Sequence, residues 1–397
     1  MWLRVTFVAF SISLVGCGGD SSAGVEPIVD PLTITISPTP ALIVGVGETL
    51  LVSATARNAA GVSVSVASVS WSSGNTGIMT IDGNGLASGV STGVTTVSAT
   101  IDGSTGSTPL EAFVPQLVSV YEAGTSYFGR NGYVEYIPGE LPVVLSAPHG
   151  GALKPSEVSD RTLGVTGSDR NTAELALAIR VAFVALTGAA PHVIISHLHR
   201  SKLDPNREIV EAADGSVFAE NAWNEFQGFV EIARQTVSND FGSGMYFDLH
   251  GHGHAIDRLE LGYLLSREKL NGTDASLDPL AVAQTTSIRA LAQSVAIPFS
   301  ELLRGPMSFG GYLEDEGVRS VPSPSDPSPG SDPYFSGGYN TRRHGSLAFE
   351  RGEVISGIQI EHQFPGIRDT AANRRAYADR LSAVTRLFML EHFGFFE

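Results

Sequence analysis

A chain of 397 residues with 42% hydrophobic side chains has material for more than one hydrophobic core. Its 25 basic and 41 acidic residues leave a formal charge of -16, which argues against non-specific nucleic-acid binding and for an acidic surface. A single cysteine excludes any intrachain disulfide.

Residues 1–16 read as a signal segment. Arg4 is the lone early positive charge, and the apolar run from Val5 to Val15 is too short to span a bilayer. The run ends in Leu14-Val15-Gly16-Cys17, which resembles a lipobox. That resemblance implies cleavage before Cys17, lipidation of Cys17, and a bacterial membrane anchor outside the cytoplasm. Residues 17–30 are mostly Gly, Ser, Asp and Pro and read as a linker.

From residue 31 to 113 the pattern is that of strands. The runs Leu32 to Ile36, Thr49 to Ala54, Val66 to Trp71 and Val94 to Ile101 are short and rich in Val, Thr and Ile, with Gly, Asn and Asp turns between them. This spacing predicts an all-β sandwich. Val69-Ser70-Trp71, Ile81 to Ala87 and Gly93 to Ala99 resemble the bacterial Ig-like group 2 domain, in which a strand tryptophan, a turn glycine and a closing strand recur. The resemblance implies a fold and a spacer or adhesion role, not a chemistry.

Residues 117–397 change character, with apolar strands alternating with amphipathic helices. Pro142 to Ala147, His192 to Ser196 and Met245 to Leu249 read as strands, and Thr172 to Leu186 and Phe218 to Val237 as helices. Such alternation predicts an α/β domain with a mostly parallel or mixed sheet, whose ligands bind beyond the carboxyl ends of strands. Arg304 to Asn340, rich in Pro, Ser, Asp and Gly, is too long for an ordinary connection and is expected to be either disordered or a lid.

His149 and His250 each stand just past an apolar strand and are followed by glycine, a placement that suits metal ligands as well as ordinary loop histidines. A catalytic zinc often adds a carboxylate to two histidines and keeps one position for water. Asp169, which opens a helix, is favoured for that place over Glu157 in the preceding loop. Arg200 and the Asn206-Arg207 pair have the chemistry to hold an anion. Glu361 ends an apolar strand, as an edge residue or as a general base beside a metal-bound water.

Taken in chain order, six motifs resemble those of the N-formylglutamate amidohydrolases, distant relatives of the zinc carboxypeptidases. They are Pro148-His149-Gly150-Gly151, Asp169 at a helix start, and Arg200 with Leu203-Asp204-Pro205-Asn206-Arg207. Phe247-Asp248-Leu249-His250, Gly337-Gly338-Tyr339-Asn340-Thr341-Arg342 and Gln359-Ile360-Glu361 complete the set. The resemblance implies a phosphorylase/hydrolase-like mixed sheet flanked by helices, with Zn2+ on His149, Asp169 and His250. It further implies Glu361 as base, Arg200 on the oxyanion, Asn206 and Arg207 on a substrate carboxylate, and Arg342 as a second anion contact. The implied substrate is a carboxylate-bearing amide: an N-acyl amino acid, a γ-glutamyl compound or a peptide. The anchor and the Ig-like module, absent from family members that act in histidine breakdown, imply a different, extracytoplasmic substrate. Gly251-His252-Gly253-His254 also departs from the family's Ser-containing sequence, leaving His252 and His254 as proton donors, further metal ligands or neither. The rival readings are a zinc carboxypeptidase-like peptidase and a catalytically silent surface-binding lipoprotein.

Overall fold

The computed structural model describes residues 31–37, 43–45, 49–91, 93–113, 120–346 and 354–396. The signal segment, the linker and Cys17 lie outside the described residues. No helix among the described residues is long and apolar enough to cross a membrane.

The N-terminal unit is all β. Gly93–Ile101 and Ser104–Phe113 form its longest hairpin, joined by Asp102 and Gly103 with φ of +47° and +77°. Two left-handed residues make the turn whose twist matches the flanking strands. Ser70–Ser73 adds to Gly93–Ile101, while Thr33–Ser37 pairs with Ser53–Arg57 in a separate sheet. The strand carrying Trp71 begins at Ser70 rather than Val66, because Ser70 pairs with Thr100 and the partner strand ends one residue later. Ile36, Val52, Met79, Val97 and Leu110 fill the core, with Trp71 packed against it. Gly85 cannot be replaced there: its φ is +84°, and a Cβ would sit 2.5 Å from the Val52 carbonyl oxygen.

The C-terminal unit is built on an eight-stranded mixed sheet. Its principal strands are β1 (Val134–Ile137), β2 (Val143–Ala147), β3 (His192–Ser196), β4 (Gly244–Gly251), β5 (Leu259–Gly262) and β6 (Ile355–His362). The spatial order is β1-β3-β2-β4-β6-β5, with the two-residue strands Tyr127–Phe128 and Ser320–Val321 at the edges. β3, β2, β4 and β6 run parallel, β1 is antiparallel to β3 and β5 to β6, and the edge strand Ser320–Val321 runs parallel to β5. The parallel strands are apolar because both faces are covered. Helices α1 (Thr172–Thr187) and α4 (Ala371–Phe393) pack with Leu145, Phe247 and Ile360 in one core. Helix α2 (Val217–Phe241) packs with Val144 and Tyr246 in the other. It runs a turn beyond Val237, to Gly242 at φ +75°, whose N–H closes the last turn on Ser238.

The proline-rich stretch is folded. It contains the helix Phe309–Asp315 and the edge strand, and residues after Val321 lie along β5, where the Tyr334 hydroxyl donates to the Leu261 carbonyl at 2.6 Å. Helix α3 (Tyr339–His344) follows and leads back towards β6.

Candidate metal centre

The ends of β2 and β4 are neighbours in the sheet, so the residues that follow them meet. His149 Nδ1 lies 3.2 Å from Asp169 Oδ2, His250 Nδ1 lies 3.2 Å from the same oxygen, and the two Nδ1 atoms are 3.1 Å apart. All three side chains are buried. Asp169 does not begin the helix as the sequence suggested. It stands three residues ahead of α1, whose Ncap Asn171 has φ +68°, and its own N–H bonds back to the His149 carbonyl at 3.0 Å. Gly150 allows this close approach, since a Cβ there would lie 2.4 Å from the Ala173 nitrogen. Glu157 is elsewhere, accepting a hydrogen bond from the Tyr133 hydroxyl.

The outer nitrogens of the two imidazoles are also fixed. His149 Nε2 sits 2.6 Å from Asp204 Oδ1, and His250 Nε2 sits 2.7 Å from Asp248 Oδ2. A carboxylate on the outer nitrogen holds the proton there and turns the Nδ1 lone pair inward, the usual support of a metal-binding histidine. Asp248 shares a face of β4 with His250 by strand alternation and accepts from Ser146 Oγ at 2.5 Å. Arg200 donates from Nε to Asp204 Oδ2 at 2.9 Å, and its Nη1 is 3.5 Å from Asp169 Oδ1.

The electrostatics are those of a cation site. Burial alone would raise the Asp169 carboxyl, yet His149 and His250 hold it well below the ordinary range. Burial likewise opposes ionisation of Asp204, and His149, Arg200 and Arg207 overcome it. His250 is pushed the other way: burial disfavours its charged form, but Asp248, Asp169 and Glu361 raise it well above its usual value. Donors, distances and charge fit a small dication. Ligands about 2.0–2.1 Å from a tetrahedral zinc stand roughly 3.3–3.4 Å apart, close to the edges of this triangle.

Glu361 is buried beside the triangle, paired in register with His250 across β4 and β6. Burial pushes its carboxyl up to about 8, with His250 and Arg200 opposing and Asp169 and Glu260 adding to the rise. Gln359 Nε2 donates to Glu361 Oε1 at 2.9 Å, and Thr341 Oγ1 donates to Gln359 Oε1 at 3.3 Å. The sequence had named Glu361 but not this supporting chain.

The expected anion clamp looks different in place. Asn206 is buried, its Oδ1 accepting from the Asn340 N–H at 2.8 Å and its own N–H donating to Asp204 at 3.0 Å. Arg207 pairs with Glu211 at 3.1 Å on the next helical turn, and Arg342 is exposed on α3.

Residues 32–112 match the bacterial Ig-like domain (group 2) family. Domains of this family are typically extracellular or surface-exposed. The chain is similar in structure to domains 4 and 5 of the S-layer protein SbsC, with 18% identity over 21% of this chain and 51% of that one and a TM-score of 0.19. It thus spans about half the length of that fragment. It is also similar to an N-formylglutamate amidohydrolase from Ralstonia eutropha JMP134, with 14% identity over 64% of this chain and 97% of that one and a TM-score of 0.37. A gene product of Agrobacterium tumefaciens matches at 16% identity over 65% of this chain and 95% of its own, with a TM-score of 0.37. No curated protein matches the sequence.

Proposed function

We propose that the C-terminal domain is a zinc-dependent amide hydrolase acting on carboxylate-bearing substrates outside the cytoplasm. The triangle of His149 Nδ1, Asp169 Oδ2 and His250 Nδ1 carries the reading, because three lone pairs meeting at 3.1–3.2 Å are a ligand set in search of a cation. Those three residues would hold the zinc, which when bound lowers the pKa of a water and polarises a carbonyl. Glu361, oriented by Gln359, accepts the water proton. Arg200, beside Asp169, is the cation for charge that develops on the carbonyl oxygen. Arg207 and Arg342 supply positive charge for a substrate carboxylate. This role does not need the buried, internally bonded Asn206 to contact substrate.

The test is hydrolysis of N-formyl and N-acetyl amino acids, γ-glutamyl amides and short peptides by purified protein before and after chelation. Cleavage that chelator abolishes and zinc restores supports the reading. Absence of cleavage across the panel by zinc-loaded protein would leave the silent binding module, and cleavage confined to peptide C-termini would favour the carboxypeptidase-like alternative. The lipid anchor at Cys17 is proposed with it: Cys17→Ser should release the protein from membranes or block its processing, and unchanged membrane fractionation and mass would refute the anchor.

A further inference from the structure

Among the described residues a second group of the same kind is formed by His252, His254 and Glu260. Its histidines belong to the Gly251-His252-Gly253-His254 stretch that departs from the family's motif. Such a group can hold a second cation or carry a proton, and the geometry separates the two. At the triangle three lone pairs converge. Here His252 is bound to backbone on both sides: Nε2 donates to the Arg258 carbonyl at 2.8 Å, and Nδ1 accepts the His254 N–H at 3.1 Å. His252 therefore shapes the loop and offers no inward lone pair.

His254 is held differently. Its Nδ1 makes a 2.7 Å hydrogen bond to Glu260 Oε1, and Glu260 is only 1% exposed. The other carboxylate oxygen accepts the Phe335 N–H at 2.8 Å, and the Phe335 ring lies flat against the imidazole at 4.8 Å. One nitrogen and one face of the ring are thus fixed. Nε2 has no partner among the described residues, and the side chain is 22% exposed. An imidazole with one nitrogen on a buried carboxylate and the other open is the arrangement of an acid–base histidine.

Its position suits the site. Glu260 and Glu361 face each other in the antiparallel register of β5 and β6, so their side chains leave the same face of the sheet about 5 Å apart. His254 follows His250 by four residues along the chain. Glu260, which holds His254, therefore stands across the strand pair from Glu361, the acceptor of the water proton.

We propose that His254, positioned by Glu260, donates a proton to the departing amine nitrogen; this rests on the amide-hydrolase reading above. As the water oxygen bonds to the carbonyl carbon, one water proton passes to Glu361. The C–N bond then breaks, its electron pair goes to nitrogen, and that nitrogen takes the proton from His254 Nε2. A carboxylic acid and an amine result, and the proton on Glu361 returns to the imidazole through solvent.

An amine cannot leave without a proton, whereas a phenolate can, so matched substrates isolate this step. Wild type, His254→Gln and Glu260→Gln are compared on N-formyl and N-acetyl amino acids and on carboxyphenyl esters of the same acyl groups. For His254→Gln the amide kcat should fall about 100-fold or more while the ester kcat changes by less than about threefold. Zinc should stay at one per chain, and added imidazole should restore amide cleavage to His254→Ala. Glu260→Gln should show the same amide-selective loss in weaker form. Equal loss on amide and ester, or none on the amide, overturns the proposal. Two zinc ions per wild-type chain with one lost in His254→Gln would make the group a second metal site instead. If zinc-loaded wild type cleaves none of the amides, the hydrolase reading fails and takes this proposal with it, an outcome distinct from an active wild type with an unselective variant.

Discussion

His149 and His250 present their Nδ1 atoms to each other at 3.1 Å while the Nε2 of each lies on a carboxylate, Asp204 or Asp248. The Asp169 oxygen lies 3.2 Å from both Nδ1 atoms, so the three inner atoms gather negative charge that a shared cation would neutralise. Purified protein is expected to carry one zinc per chain, measured by elemental analysis, and His149→Ala or His250→Ala should abolish it. Asp169→Ala should do the same while Glu157→Ala retains the metal. Iron in place of zinc, which two histidines and one carboxylate can also bind, would redirect the chemistry away from hydrolysis.

Asp204 and Asp248 touch the ligands rather than the cation, so their loss should weaken binding without eliminating it. Asp204→Asn or Asp248→Asn is expected to lower zinc affinity about 10- to 100-fold, read by competition with a chromogenic chelator. Asp248→Asn should be the milder change, because its Oδ1 partner Ser146 can reorient. Unchanged affinity in both variants would show that the imidazoles are held by the backbone alone.

Much of this centre is legible in the sequence. His149 and His250 stand out because apolar runs stop at them, and Asp248 could have been assigned from strand alternation, two residues before His250. Asp204 could not be placed the same way, since the irregular loop after β3 has no period to read. The local engagement of Arg207 was not legible: the chain turns into a helix where Glu211, four residues on, pairs with it. The pairing of His254 with Glu260 depends on β5 reversing beside β6, a long-range fact with no signature in either motif. The fate of the proline-rich stretch was undecided for a related reason. The stretch is tied to β5 by the Tyr334 hydroxyl on the Leu261 carbonyl and the Phe335 N–H on the Glu260 carboxylate, partners some 75 residues distant in sequence.

Away from the metal centre, His192 sets an acid-side stability term. Its Nδ1 accepts the Gly139 N–H at 3.1 Å and lies 3.0 Å from the Tyr136 hydroxyl, so protonation would break this arrangement. Burial lowers the imidazole from 6.5 to about 4. Between those values the unfolded chain binds a proton that the folded chain refuses, so stability falls as pH drops from 6.5 to about 4. The contribution integrates to about 3 kcal/mol. His192→Gln offers a carbonyl acceptor that does not titrate and should flatten this part of the profile, measured by urea unfolding across pH 4.5–7. An unchanged slope would mean that His192 is not the group responsible.

The decisive separation is between binding the metal and using it, and Glu361 is the residue that draws it. Glu361→Gln keeps a carbonyl oxygen where Oε1 stands, so the 2.9 Å bond from Gln359 Nε2 survives and the side chain keeps its place on β6. What disappears is the capacity to accept a proton. Zinc content and thermal stability are therefore expected to match wild type, while kcat on carboxylate-bearing amides falls about 100-fold or more and KM changes little. Thr341→Val, which removes the hydroxyl donor to Gln359, should give a smaller loss of kcat at full zinc occupancy. The two variants together distinguish a base from a bystander, because a residue that merely fills space would tolerate the near-isosteric Glu361→Gln. Loss of zinc in that variant would recast Glu361 as a ligand. Full turnover with zinc retained would mean that another group accepts the water proton, even if the metal site were otherwise correct.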